Sequence, residues 1–187
     1  VFALGLGLQC MCTAAEPFTV ALVPDTQFYS ASSTLITHFT NQTQWIVDNR
    51  ASNNIVMVSH LGDVVNAGAD AAQWARADAA MDILDTDTNL TYGVVLGNHD
   101  YAGGQSPDND AAAFISTFGA ARFAGRPWYG GDSPDGRNQY HYFKGAWRDY
   151  LHLLIEYHCA SSDNSNATEM IQWVQSVLED HPTTPAI

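Results

Sequence analysis

The chain has 187 residues, 46% hydrophobic and 14% charged, which suits one ordinary domain able to bury a core without covalent staples. Three Cys exclude a disulfide scaffold. Seven Lys and Arg against 20 Asp and Glu leave a formal net charge of −13, which excludes nucleic-acid binding through a basic surface, because counterion release needs clustered cations.

Residues 1–8 (VFALGLGL) form an uncharged apolar run too short to span a bilayer, and small residues follow in CTAAEP. This reads as the tail of a signal peptide cleaved near Ala14 or Ala15. Residues 1–15 are then a leader remnant, 16–187 a domain, and the protein is secreted or periplasmic, with Cys159 unpaired once Cys10 and Cys12 are removed. A buried first strand is the competing reading. No transmembrane segment is expected.

Residues 18–24 (FTVALVP) suit a buried parallel strand. Ser32 or Ser33 can cap a helix running to about Asn49, with Leu35, Phe39, Trp45 and Ile46 near helical spacing. Residues 55–61 (IVMVSHL) form a second strand. Residues 70–84 form a helix with Trp74, Ala77, Met81 and Leu84 on one face, and 92–96 (YGVVL) form a third strand. This rhythm argues for an α/β layered fold. Beyond residue 100 the pattern predicts a loop over 101–110, a short helix over 110–118, and a Gly- and Pro-rich surface excursion over 125–137. Strands follow over 139–143 and 149–157, then a polar loop over 161–166. A last helix spans 168–179, with Ile171, Trp173, Val174 and Leu178 inward.

Polar clusters follow each of the first three strands: Asp25-Thr26-Gln27, Gly62-Asp63-Val64-Val65-Asn66 and Gly97-Asn98-His99-Asp100. Ligands of open α/β sheets bind beyond the carboxyl ends of the strands, so these tips converge. Hard oxygen donors plus an amide point to divalent cations, and a pair of cations can clamp a phosphoryl group and activate a water. Bound cations would also offset the repulsion between this acidic chain and a phosphate.

Together the three clusters resemble the first three motifs of the calcineurin-like metallophosphoesterases, a family of binuclear metal phosphatases. Gly97-Asn98-His99-Asp100 is the most specific of them. The resemblance runs over residues 18–187 and implies a four-layer αββα sandwich and a metal-dependent phosphoric ester hydrolase acting on a phosphate ester. It implies two divalent or trivalent ions (Fe, Mn or Zn) and a metal-bridging hydroxide attacking phosphorus in line. By the same resemblance Asp25 binds the first metal, Asp63 bridges, and Asn98 ligates the second. His99 contacts the phosphate and assists the leaving group, held by Asp100. Gln27 stands where the family usually has His, so the first site is weaker or differently selective. The family's downstream Gly-His and Gly-His-x-His segments do not occur here, and the expectation is a fragment of a longer enzyme, poorly active alone. The alternative is a non-catalytic binding module on the same scaffold with a degraded metal site. Among the other histidines, His60 reads as a core residue, His141 and His152 as surface or packing residues, and His38 and His181 as exposed helix flanks. His158 stands at a strand end. Trp128 and Tyr129 either rim the site or pack the excursion onto the body.

Overall fold

The computed structural model describes residues 16–157 and 165–187, and only the backbone of 165 and 166. The leader expected over 1–15, together with His158, Cys159 and the loop over 161–164, lies outside the described residues.

Three parallel strands, β1 (Thr19–Val23), β2 (Ile55–His60) and β3 (Thr91–Val94), form one sheet in the order β1-β2-β3. The ladder continues past the named strands toward their carboxyl ends, with Leu61 N–H donating to Val23 O (2.9 Å) and Val95 N–H to His60 O (3.0 Å). A four-residue helix, α1 (Gln27–Ser30), leaves the β1 tip directly. The longer α2 (Ile36–Asn49) and α3 (Ala71–Met81) make the crossovers. Asp70 caps α3, accepting from Ala72 N–H at 2.9 Å and Gln73 N–H at 3.3 Å.

The period-two pattern of a strand explains the layering. Val58 and His60 face the helices, where the His60 ring meets Phe39 of α2, and Tyr92 and Val94 of β3 join the same apolar cluster. Thr91, on the opposite face, donates to Tyr142 O at 3.2 Å. Tyr142 belongs to a second, antiparallel sheet of β4 (Tyr129–Asp132), β5 (Gln139–Gly145) and β6 (Arg148–Leu154), in that order. Two short helices, α4 (Ala112–Phe118) and α5 (Ala120–Phe123), connect the halves. The final α6 (Ser165–Asp180) brings Trp173 against Tyr140 of β5. Residues 185–187 then lie parallel to β6, with Leu151 N–H donating to Pro185 O, Ile187 N–H to Leu151 O and Leu153 N–H to Ile187 O. No helix among the described residues is long and apolar enough to cross a membrane.

Several expectations change. Among the described residues β1 is an edge strand rather than a buried one: Leu22 is 61% exposed and lines, with Trp45, an apolar groove of about 790 Å³ beside β1. Trp45 and Leu35 face outward, and Thr43 takes the inward position between Phe39 and Ile46. On α6 the inward stripe is Trp173, Val174 and Val177, while Ile171 and Leu178 are exposed. The excursion over 125–137 contains β4, because tertiary pairing with β5 overrides its poor strand propensity. For His141 and His152 the packing alternative holds, both being buried, whereas His181 bridges Tyr142 Oη (2.6 Å) and Val177 O (2.7 Å) rather than standing exposed. Trp128 packs against Tyr92, Phe123 and His141.

Candidate functional site

The three strand tips meet, and Asp63 joins them. Its carbonyl accepts from Thr26 N–H of the first tip at 3.1 Å, and its Oδ1 accepts from His99 N–H of the third at 2.9 Å. Both bonds depend on unusual backbone: Gly62 and Asp63 have φ of +99° and +50°. Left-handed geometry costs a residue with a Cβ, least for Asp and Asn, and here it turns the Asp63 side chain toward the third tip. Gly97 allows the approach from the other side, since a methyl group there would overlap both the backbone nitrogen and Oδ1 of Asp63.

A second tie runs through His60. Gly62 N–H donates to its Nδ1 (3.2 Å), so the ring carries its proton on Nε2 and donates to Thr26 Oγ1 (2.9 Å), which donates onward to Val64 O (3.2 Å). Burial pushes His60 down to about 3, which keeps it neutral in this relay. His60 is therefore a core residue with a structural task. Thr26, flagged only as part of a cluster, is the hydroxyl that locks the first tip to the second.

The donor atoms themselves are left uncommitted. Asp25 is exposed, and its carboxylate takes part in no hydrogen bond or ion pair among the described residues. The same holds for the Asn98 side chain and for Asp63 Oδ2. Gln27 Oε1 is buried with no hydrogen-bond partner, a state that costs roughly 1–3 kcal/mol unless something fills it. Two carboxylates and two amide oxygens at joined tips suit hard divalent cations. Among the described residues no group of three or more His, Cys, Asp and Glu side chains is placed to hold a metal, so any such ion relies on the amides as well.

Asp100 takes a role different from the one implied. Its carboxylate does not reach the His99 ring; Oδ1 accepts from Val65 N–H (3.0 Å) and Oδ2 from Gly97 N–H (2.9 Å), which binds the second tip to the third. Burial pushes its carboxyl up to about 7; the two N–H donors oppose this and the charge of Asp63 reinforces it. The His99 ring is held instead by Asn66 O, 3.1 Å from Nδ1. Asp100 positions that carbonyl indirectly through neighbouring Val65, and Gln73 Oε1 does so by accepting from Asn66 N–H (2.8 Å) and Ala67 N–H (3.1 Å). A carbonyl at Nδ1 puts the proton there and leaves Nε2 as an acceptor, which meets Gln105 Nε2 at 3.0 Å. Asn66 O and Gln105 were invisible to motif reasoning, because a carbonyl has no residue signature and Gln105 sits in an ordinary polar loop. Tyr101 is buried, its hydroxyl donating to Glu156 Oε2 at 2.6 Å.

No family model matches the chain. It is 36% identical over 174 residues to the uncharacterized protein YvnB of Bacillus subtilis, an alignment covering 93% of this chain and 12% of that protein's length. The chain thus spans about an eighth of the curated relative it matches. Among solved structures, a dimetal phosphatase from Danio rerio is similar with a TM-score of 0.44 and 16% identity, covering 86% of this chain and 52% of that one.

Proposed function

We propose that the strand tips form the metal-binding half of a phosphoric ester hydrolase of the calcineurin-like metallophosphoesterase type, built on a four-layer αββα sandwich. The observation that supports it best is the coexistence of joined tips with uncommitted oxygens: the fold brings Asp25, Gln27, Asp63 and Asn98 to one end of the sheet and satisfies none of their ligating atoms fully. These four residues would hold two divalent or trivalent ions. Bound there, the ions would neutralise phosphoryl oxygens and lower the pKa of a water.

The chain's own residues do the rest. Asp63, common to the first and third tips, ties the segments that carry Asp25 and Asn98 together, its carbonyl accepting from Thr26 N–H and its Oδ1 from His99 N–H. His99 keeps Nδ1–H on Asn66 O; once Nε2 has taken a second proton from solvent, the imidazolium passes that proton to the leaving oxygen as its bond to phosphorus breaks and the bond from water forms, and Nε2 returns to being an acceptor. The acidic surface, with no Lys or Arg in contact with these five residues, leaves the cations to attract the substrate. A second reading, a binding module without turnover, is favoured by Gln27, whose neutral amide is a weaker ligand than imidazole.

The test uses the complete gene product loaded with Mn²⁺ or Zn²⁺. Hydrolysis of a phosphomonoester and a phosphodiester is followed with and without chelator, for wild type, Asp63→Asn and His99→Ala. Chelator-sensitive turnover is expected, with metal content lost in Asp63→Asn and kept in His99→Ala while the rate falls about 100-fold or more. Full metal and full rate in Asp63→Asn would refute the assignment. Metal binding without turnover would establish the module.

A further inference from the structure

His99 and Gln105, 3.0 Å apart at their Nε2 atoms, both line a depression of about 300 Å³ together with Asn66, Ala69, Tyr101, Gly103 and Gly104. Gln105 reaches His99 from a loop held firmly at its base. Ala102 and Asp110 pair across it, with Ala102 N–H donating to Asp110 O at 2.8 Å. Arg137 donates to Pro107 O (2.6 Å) and Asn109 O (3.1 Å), its guanidinium lies over the Tyr101 ring, and its Nη1 is 3.5 Å from Glu156 Oε2. The anchored base fixes where the loop stands, and the positive φ of Gly103 (+93°) and Gly104 (+140°) turns the chain just before Gln105, whose amide meets the ring.

On the reading above, His99 Nε2 must meet the leaving oxygen of the ester, and the Gln105 amide occupies that position. We propose that Gln105 is a positioning and specificity residue: the leaving group of the substrate displaces its amide from His99 Nε2 and enters the depression behind it. The chemistry of the lining names the class of leaving group. No Lys or Arg lines it, the walls are Gly and Ala residues, the amides of Asn66 and Gln105, the Tyr101 ring and the His99 imidazole, and the chain carries a net charge of −13. A second phosphate or a carboxylate on the leaving group would find no counter-charge, and about 300 Å³ is at the small end of ligand sites. The substrates favoured are phosphate esters of small, uncharged, hydroxyl-bearing alcohols, in preference to nucleotides or bulky aryl esters.

Two measurements on the metal-loaded complete gene product decide this. In the first, ¹⁵N chemical shifts of the His99 ring are compared between wild type and Gln105→Ala; loss of the amide donor moves the Nε2 resonance and leaves Nδ1, on Asn66 O, in place. In the second, kcat and KM are measured for glycerol phosphate, an aryl phosphate and a nucleotide. Wild type favours glycerol phosphate at least tenfold in kcat/KM. Gln105→Ala lowers KM for the two bulky esters about tenfold, shrinking the preference. An unmoved Nε2 resonance, or unchanged discrimination among the three esters, overturns the proposal even where hydrolysis itself is normal. Absence of hydrolysis of all three esters by the metal-loaded wild type instead refutes the phosphoesterase reading, and the specificity role falls with it.

Discussion

Two groups of aspartates in this molecule are treated in opposite ways. Around Arg122 every acidic group is answered. Its guanidinium reaches Asp78, Asp82 (2.8 Å) and Asp85 (3.0 Å), its Nε donates to Tyr92 Oη (2.6 Å), and Arg126 takes the other oxygen of Asp85 at 2.6 Å. Burial opposes the Arg122 charge, but the surrounding oxygens outweigh it and hold its pKa above the ordinary value. At the strand tips Asp25 and Asp63 receive no cation at all. The other positive groups also lie elsewhere: Arg50 on Asp87, Arg76 on Ser30 O, Arg137 beside Glu156, Lys144 beside Asp149, and Arg148 over Trp147 and Tyr150. A chain with only seven Lys and Arg thus directs all but Arg148 to cross-linking its elements, and leaves one end of its sheet with uncompensated oxygens. The first cluster is stabilising architecture. The second leaves one buried acceptor, Gln27 Oε1, without a partner, a cost that the first does not carry.

Acid tests the difference most broadly. Burial lowers His60 and His141 to about 3 and His152 to about 4. Their unfolded values lie near 6.5, so the unfolded chain binds more protons below that pH. The stability they confer is complete above about pH 6.5 and is lost as the pH falls toward 4, by on the order of 1.4 kcal/mol per pH unit for each ring. Asp100, raised to about 7, works in the other direction over the same range, because its folded form holds a proton that the unfolded one releases. A net loss of several kcal/mol between pH 7 and 5 is expected in urea titrations. A flat profile would show that the rings are not buried neutral. Arg122 stays charged throughout and adds nothing to the slope.

Arg122→Met attacks the answered cluster directly. It removes one guanidinium from three carboxylates and the Tyr92 hydroxyl, and a loss of about 3 kcal/mol is expected, at the low end for a buried pair because Asp78 and Asp82 are partly solvated. A change below about 0.5 kcal/mol would mean the cluster is surface decoration. Gly97→Ala strikes the other region: its methyl overlaps Asp63, so an overpacking loss of about 2 kcal/mol is expected. Thermal unfolding without added metal measures it, and an unchanged midpoint would show that the tips are not pressed together.

Much of this contrast was legible in the sequence. Asp25, Asp63 and Asn98 declare themselves because each follows an apolar strand directly, and parallel strand order carries such residues to one end. The connections among the tips were not legible. Thr26, His60, Asn66 O and Gln105 act through backbone atoms, tautomers and loop position, none of which has a compositional signature. The sheet edge was equally hidden, since FTVALVP reads the same in a central strand as in an outer one. On α6 two adjacent apolar stripes offered themselves, and only packing against Tyr140 selects the one with Trp173 and Val177.

The smallest expected effect is the most diagnostic. Asp63→Asn keeps an oxygen at Oδ1 to accept from His99 N–H and removes a charge that no cation balances and that disfavours ionisation of buried Asp100. Without metal, the variant should therefore be as stable as wild type or more stable by up to about 1 kcal/mol, contrary to the usual direction for a substitution at a half-buried polar position. With Mn²⁺ or Zn²⁺ the order should reverse, because a ligand that binds only the folded state stabilises it by RT ln(1 + [L]/Kd), about 2.7 kcal/mol at a hundredfold excess over Kd, and the variant forfeits that gain. The crossing of the two melting curves on metal addition is the measurement. A variant destabilised equally with and without metal would make Asp63 an architectural aspartate like those around Arg122, and the distinction between the two regions would collapse.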